Sequence, residues 1–160
     1  MAVDMFLKLD GIKGESKDGK HKDEIDVYSW SWGLTQTGSF GMGGGGGSGK
    51  VNVHDITLTK KLDKSSNLLT VNCCSGKHIK EGTLTVRKAG ENPLEYLKIT
   101  FTDLLVSSMQ TSGTDGGDLV METVSLNFAK FKVEYQEQKA DGSGLPAVTY
   151  GWDIKQNTKV

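Results

Sequence analysis

Cysteine is scarce in this sequence and badly placed for cross-linking: the two that 160 residues contain, Cys73 and Cys74, are neighbours. Adjacent cysteines cannot staple distant parts of a chain, and a disulfide between them is strained, so two reduced thiols and folding in a reducing compartment are expected. With no C-x-x-C spacing and no third cysteine, a thiolate metal centre lacks its ligand set. Long apolar runs are missing too. No stretch approaches the ~20 residues of a membrane-spanning helix, and Asp4, Lys8 and Asp10 interrupt the first apolar stretch, making it a poor secretory signal and a fair strand. Net charge is nearly absent, with 19 basic residues against 20 acidic ones. That balance supplies no global field for nucleic acid or anionic membrane, and it lets copies of the chain approach one another with little repulsion. What is present, 36% hydrophobic and 24% charged residues, suits one domain spanning residues 1–160.

Glycine, by contrast, is concentrated. From Gly38 to Lys50 the chain reads GSFGMGGGGGSGK, and Gly44 to Lys50 satisfies the spacing G-x-x-x-x-G-K of a phosphate-binding loop. The next residue is Val51, where a Ser or Thr hydroxyl should hold Mg²⁺. The following residues, VNVHDITLT, are β-branched and alternating, so no helix N-terminus is offered to an anion. A pliable arm between two strands fits the glycines better, because glycine lets backbone approach backbone closely and adopt unusual dihedrals.

Period-two alternation dominates the rest. In Tyr28 to Thr37, Tyr28, Trp30, Trp32 and Leu34 share one face, predicted as core, while Ser29, Ser31, Gly33 and Thr35 form a smooth polar face. Strands of like character are expected at 82–88, 95–101, 122–135 and 148–154, where Trp152 joins the core side. Within 122–135 the apolar parity reverses between Phe128 and Phe131, which predicts a bulge near Ala129. Residues 63–76 read as one helix, capped by Asp63 or a following Ser and closed by Gly76. The expected fold is mainly β, a β-barrel or sandwich of two sheets with one α-helix alongside.

Catalytic groupings do not emerge. His21, His54 and His78 are far apart and in unlike settings, and Asp23-Glu24-Asp26 lacks the order of a calcium loop, so a solvated loop is expected there. Lys77-His78-Ile79-Lys80 and Arg87-Lys88 lack the interleaved aromatics of a nucleic-acid surface. No cofactor and no metal are called for. A broad face of Ser, Thr, Gly and Asn, neither strongly charged nor greasy, suits a wetted channel or a contact surface.

Many ordered segments then carry a family likeness. Met5 to Ser16 (MFLKLDGIKGES), His21 to Val27, Ser29 to Gly33, Lys50 to Val53, Asp63 to Ser66, Ser75 to His78, Arg87 to Gly90, Glu95 to Leu97 and Tyr150 to Ile154 together resemble the haemolysin-coregulated proteins (Hcp) of bacterial type VI secretion. The resemblance implies a β-barrel similar to phage tail-tube proteins, assembled into homohexameric rings that stack as a tube, and it implies no enzyme. The implied partners are further copies of the chain, the sheath and spike proteins of the system, and small effector proteins carried in the lumen like clients of a chaperone. The implied route is assembly in the cytoplasm followed by secretion without a cleavable signal. Residues 37–50, including Thr37, Gly38, Ser39, Phe40, Gly41, Met42, Gly43, Gly47 and Lys50, correspond to the loop that reaches the next ring. Ser29, Ser31 and Gly33 fall on a lumen-wall strand. Some relatives carry a fused toxin, and a bare tube subunit is expected here. A monomeric barrel binding a small ligand is the alternative, and it requires a closed apolar interior cavity.

Overall fold

The computed structural model describes residues 2–38 and 49–160. In chain order these form β1 Val3–Leu9, β2 Ile25–Asp26, β3 Ser29–Ser31, β4 Leu34–Thr35, β5 Asn52–Val53, β6 Ile56–Lys61, α1 Ser66–Ser75, β7 Ile79–Lys88, β8 Leu94–Ser112, β9 Met121–Tyr135, β10 Val148–Asp153 and β11 Thr158–Lys159. The architecture is mainly β with two unequal sheets and one helix, the class that the alternation predicts.

The large sheet closes on itself. β9 pairs with β8, β8 with β7, β7 with β1 and β1 with β2. The first half of β9, Met121 to Leu126, also pairs with β6, and its second half, Lys130 to Tyr135, with β10, which carries β11 at its far side. Residues 25–31 complete the circuit, because Val27 donates its amide to Met5 of β1 (3.0 Å) and Tyr28 donates to Thr59 of β6 (2.8 Å). Ser29–Ser31 then pair with Thr59–Thr57. Among the described residues, the segment 25–31 thus bridges the two ends of the sheet. Leu58, Phe101, Leu104, Leu126, Ile25 and Ile56 fill its interior at 0–1% exposure.

Two predictions are corrected by this closure. The strand expected from Tyr28 to Thr37 is broken into β3 and β4. Tyr28, expected in the core, is 47% exposed. Ile25 and Val27 face inward, then the chain bends at Tyr28 as it passes from β1 to β6, and Trp30 takes up the inward side with the opposite parity. Trp30, Trp32 and Trp152 are half-buried and pack against the core from its margin. Leu34 is also turned outward, at 49% exposure.

The parity reversal in β9 has a different origin from the predicted bulge. Between β8 and β9 the register is the same on either side of Ala129, with Thr102 opposite Lys130 and Leu104 opposite Phe128. Both strands reverse their inward face together at this point, where Asp103 adopts φ 55°, and here β9 exchanges β6 for β10. The register shift lies farther along, between Val106 and Ser108.

α1 is shorter than the predicted 63–76 and packs on β8. Gly76 ends it at φ 68° with its amide on the Asn72 carbonyl, the left-handed cap that glycine permits. At its start Asp63 Oδ1 accepts the Ser65 amide at 2.9 Å, while Ser65 makes no side-chain cap. Lys60, 2% exposed, donates to Glu122 Oε1 at 2.5 Å and to Ser66 Oγ at 3.2 Å, and lies 3.1 Å from Asp63 Oδ1. Ser66 Oγ donates in turn to Glu122 Oε1 at 2.5 Å and accepts the Asp63 amide at 3.1 Å. This network joins β6, β9 and the helix. A second one pins the segment after β1: Arg87 on β7 donates to Asp18 (2.5 Å) and Asp4 (3.1 Å) and lies over the Phe6 ring.

Replacing Lys60 by Met leaves Glu122 and Asp63 buried without a counter-charge and is expected to cost about 3–5 kcal/mol of stability, measured by urea unfolding. Lys60→Met combined with Glu122→Leu is expected to recover part of that loss. The Arg87 guanidinium also holds the Asp18 carboxyl well below the usual carboxylate range. With the folded value depressed, its stabilisation is present above the unfolded value of about 3.9 and is lost as pH falls from there toward the folded value. Asp18→Asn is therefore expected to lower the urea midpoint at neutral pH, with the gap to the unsubstituted protein narrowing below about pH 4.

Candidate functional site

Ser29 and Ser31 are exposed on β3, and the strand register extends their face across three further strands. Ser31 stands opposite Thr57, Thr57 opposite Ser125, and Ser125 opposite Ser108. One step along, Ser29, Thr59, Thr123 and Gln110 form a second row. Directly paired residues project to the same side of a sheet, so these rows make one continuous surface. The intervening Trp30, Leu58, Val124 and Met109 project the other way, into or against the core. Thr57 Oγ1 and Ser125 Oγ share a hydrogen bond at 3.0 Å. The shift after Val106 adds Ser107, which donates to Asp55 at 2.5 Å, while Asn127 donates to the other oxygen of that carboxylate at 2.8 Å. The surface is thus hydroxyl-rich, and its carboxylate is held by two donors.

Sequence reasoning named Ser29 and Ser31 for this face but not Thr57, Thr59, Thr123, Ser125, Ser108 and Gln110, which the register places beside them. The alternation in ITLTKK and TVSLN carries their signal, yet only the pairing shows that they belong together. Gly33 is separated from this surface. It lies beyond the end of β3, and its carbonyl accepts the His54 amide at 3.0 Å.

The residues flanking the glycine run form the small second sheet, where Leu34 pairs with Val53 and Thr35 with Asn52. Thr37, Gly38 and Lys50 are exposed at the described ends of the run. Ser39, Phe40, Gly41, Met42, Gly43 and Gly47 lie outside the described residues. Gly49 packs closely against the opposite limb, since a Cβ there would sit 2.7 Å from the Thr37 carbonyl oxygen. Lys50 leads into β5, and α1 begins only at Ser66, so the end of the glycine run lacks the helix that a phosphate loop requires.

Beside the arm opens an apolar hollow of about 840 Å³, lined among others by Trp32, Leu34, Val53, Phe131, Tyr150 and Trp152. Trp32 is fixed by an edge-on contact with Phe131, 4.8 Å between centroids, and by donating Nε1 to the His54 carbonyl at 3.0 Å. Gly151 lets β10 lie flat here, because a Cβ would meet the Phe131 carbonyl oxygen at 2.7 Å. Tyr150 and Val148, at 51% and 61% exposure, leave this margin of the sheet apolar.

The histidines do not form a shared centre. His21 is buried and hydrogen-bonded: it is 8% exposed, stacked on Phe6 at 4.4 Å, and bound to Glu24 (2.9 Å) and Glu95 (2.6 Å). His54 and His78 line one small hollow with Asp103. Among the described residues, no three His, Cys, Asp or Glu side chains are grouped closely enough to hold a metal ion.

Comparison with known proteins places the chain. Residues 6–135 match the family described as "Type VI secretion system effector, Hcp". The sequence is 60% identical to protein hcp1 of Pseudomonas aeruginosa, over 99% of both chains. Hcp1 of Salmonella typhimurium, 42% identical, superposes with a TM-score of 0.80 over the whole of both chains. A structure described as a type six secretion system protein reaches 0.94 at 30% identity, over 99% of this chain and 100% of that one. With sequence and fold agreeing along the whole chain, the protein belongs to the Hcp family of the type VI secretion system.

Proposed function

We propose that this chain is the structural subunit of a type VI inner tube. Copies close into hexameric rings, the rings stack, and the tube is secreted with small effector proteins held in its lumen; the subunit itself catalyses nothing. The observation that carries this reading is the hydroxyl-rich surface spanning β3, β6, β9 and β8. Short side chains that both donate and accept hydrogen bonds hold a wetted surface without a strong preference for any one chemical group, which suits a wall past which different cargoes travel. Ring closure falls to the apolar margin around Tyr150 and Val148 and to the adjoining hollow, surfaces that a neighbouring copy would cover. Stacking falls to the arm at 37–50. Sheath and spike proteins of the system are the outer and terminal partners, and the assembled subunit passes from the cytoplasm to the outside.

The monomeric ligand-binding alternative needs an internal cavity. Leu58, Phe101, Leu104 and Leu126 occupy that interior, and the hollow of about 840 Å³ opens at the flank instead.

Native mass spectrometry or electron microscopy of the purified chain is expected to show hexameric rings, and a strictly monomeric species at high concentration would sink the proposal. Deleting Gly43 to Gly47 is expected to preserve the fold and the single ring while weakening stacking, read as shorter or fewer tubes in micrographs; undiminished tubes would mean that the arm is misassigned. Ser31→Arg, placed in the middle of the hydroxyl surface, is expected to leave rings intact and change which effectors co-purify with them. Unchanged cargo would remove this surface from the lumen.

A further inference from the structure

Helix α1 turns Leu69 into the core together with Ser66 and Asn72, but it carries a second apolar pair on its outer side: Leu68 and Val71 are 46% and 58% exposed. Their three-residue spacing puts both on one side of the helix. An amphipathic surface helix ordinarily turns its apolar stripe to the core, so an outward stripe needs another explanation.

At the Leu68 end the stripe meets a groove of about 750 Å³ between α1, the end of β1 and the segment 10–24. Leu9, Ile12 and Leu68 contribute its apolar surface, and Lys8, Lys13, Lys20, Lys22 and Lys64 surround it. Three carboxylates also line it, Asp10, Asp23 and Glu24. Two of them are engaged: Glu24 holds His21 at 2.9 Å, and Asp23 lies 3.9 Å from Lys64. Lys8, Lys13, Lys20 and Lys22 have no ion-pair partner among the described residues. On a chain with a formal charge of −1, this excess of cations belongs to the groove and not to the surface at large.

The geometry points to a docking site for an acidic amphipathic helix supplied by another protein. Its apolar side lies on Leu68 and Val71, and its carboxylates face the lysines. A plain polyanion such as nucleic acid would use the lysines but leave Leu68 and Val71 in water. A second copy of this chain is a poor occupant, because its α1 carries no acidic residue (SNLLTVNCCS). Basic rim and apolar floor together match a partner that has both properties on opposite faces. The site does not involve the surfaces assigned to ring closure or stacking, so its failure would leave those assignments untouched.

The test is fluorescence anisotropy with a labelled synthetic peptide of about 15 residues, long enough for a marginal helix, with Leu on one face and Glu on the other. The intact protein is titrated with this peptide and with a scrambled peptide of the same composition, and the titrations are repeated for Lys13→Glu/Lys22→Glu and for Leu68→Ser. These side chains are exposed, and circular dichroism checks that each variant is folded. Binding of the segregated peptide is expected to fall about tenfold or more in each variant, on scrambling, and at high salt. Absence of binding would overturn the proposal, as would binding indifferent to both variants. Equal binding of the scrambled peptide, with Leu68→Ser silent, would reduce the site to a polyanion patch and overturn it as well.

Discussion

The contact between Lys60 and Glu122 constrains more of this structure than its size suggests. The two residues are directly opposite on β6 and β9, buried at 2% exposure each, and shared with Ser66 at the start of α1. A slip of one residue between these strands would turn the inward row of Ile56, Leu58, Val124 and Leu126 to the outside. It would also separate a buried ammonium from its carboxylate. The apolar rows and the ion pair therefore enforce the same register, and the helix is positioned by the hydroxyl that joins them. A buried ion pair is weak evidence of net stability; its contribution here is to raise the cost of the wrong alignment.

That alignment also produces the hydroxyl-rich surface. Once β6 and β9 are fixed, Thr57 and Thr59 fall beside Ser125 and Thr123, and the closure through residues 25–31 adds Ser29 and Ser31 to the same side. Core and hydroxyl face are alternate residues of the same strands. The alternation fails at Tyr28, at Asp103 with Ala129, and after Val106. The last of these failures exposes Ser107 and brings it to Asp55.

Much of this was legible in the sequence, and the exceptions have physical causes. The period-two pattern located β7, β9 and β10, and Gly76 marked the helix end. The extension of β8 from residue 102 to 112 was not legible, because Asp103 in a left-handed conformation and the shift at Ser107 break the alternation that identifies a strand. Tyr28 was misplaced for a related reason: alternation assumes one straight strand, and the chain bends there to serve two neighbours. His21 reads as one of a set of exposed or hydrogen-bonded histidines, but which partner it takes was not legible, because Glu95 is 74 residues away. Pairing across such distances has no local signature. The family likeness, resting on segments spread along the chain, pointed to residues 37–50 and to the strand of Ser29 and Ser31, and it gave no sign of the other strands that share the face of those serines.

The closed circuit has a consequence for the order in which the molecule can be made. Residues 25–31 need β6 on one side, and β6 needs Met121–Leu126 of β9 on the other, so the N-terminal part of the barrel cannot be sealed until more than half of the chain is available. Contacts of such sequence separation belong to the slow end of two-state folding, in the range of milliseconds to seconds. Until then the emerging β1 and β6 present unpaired edges and uncovered apolar rows. The interval between synthesis and closure is when neighbouring chains are most able to pair wrongly.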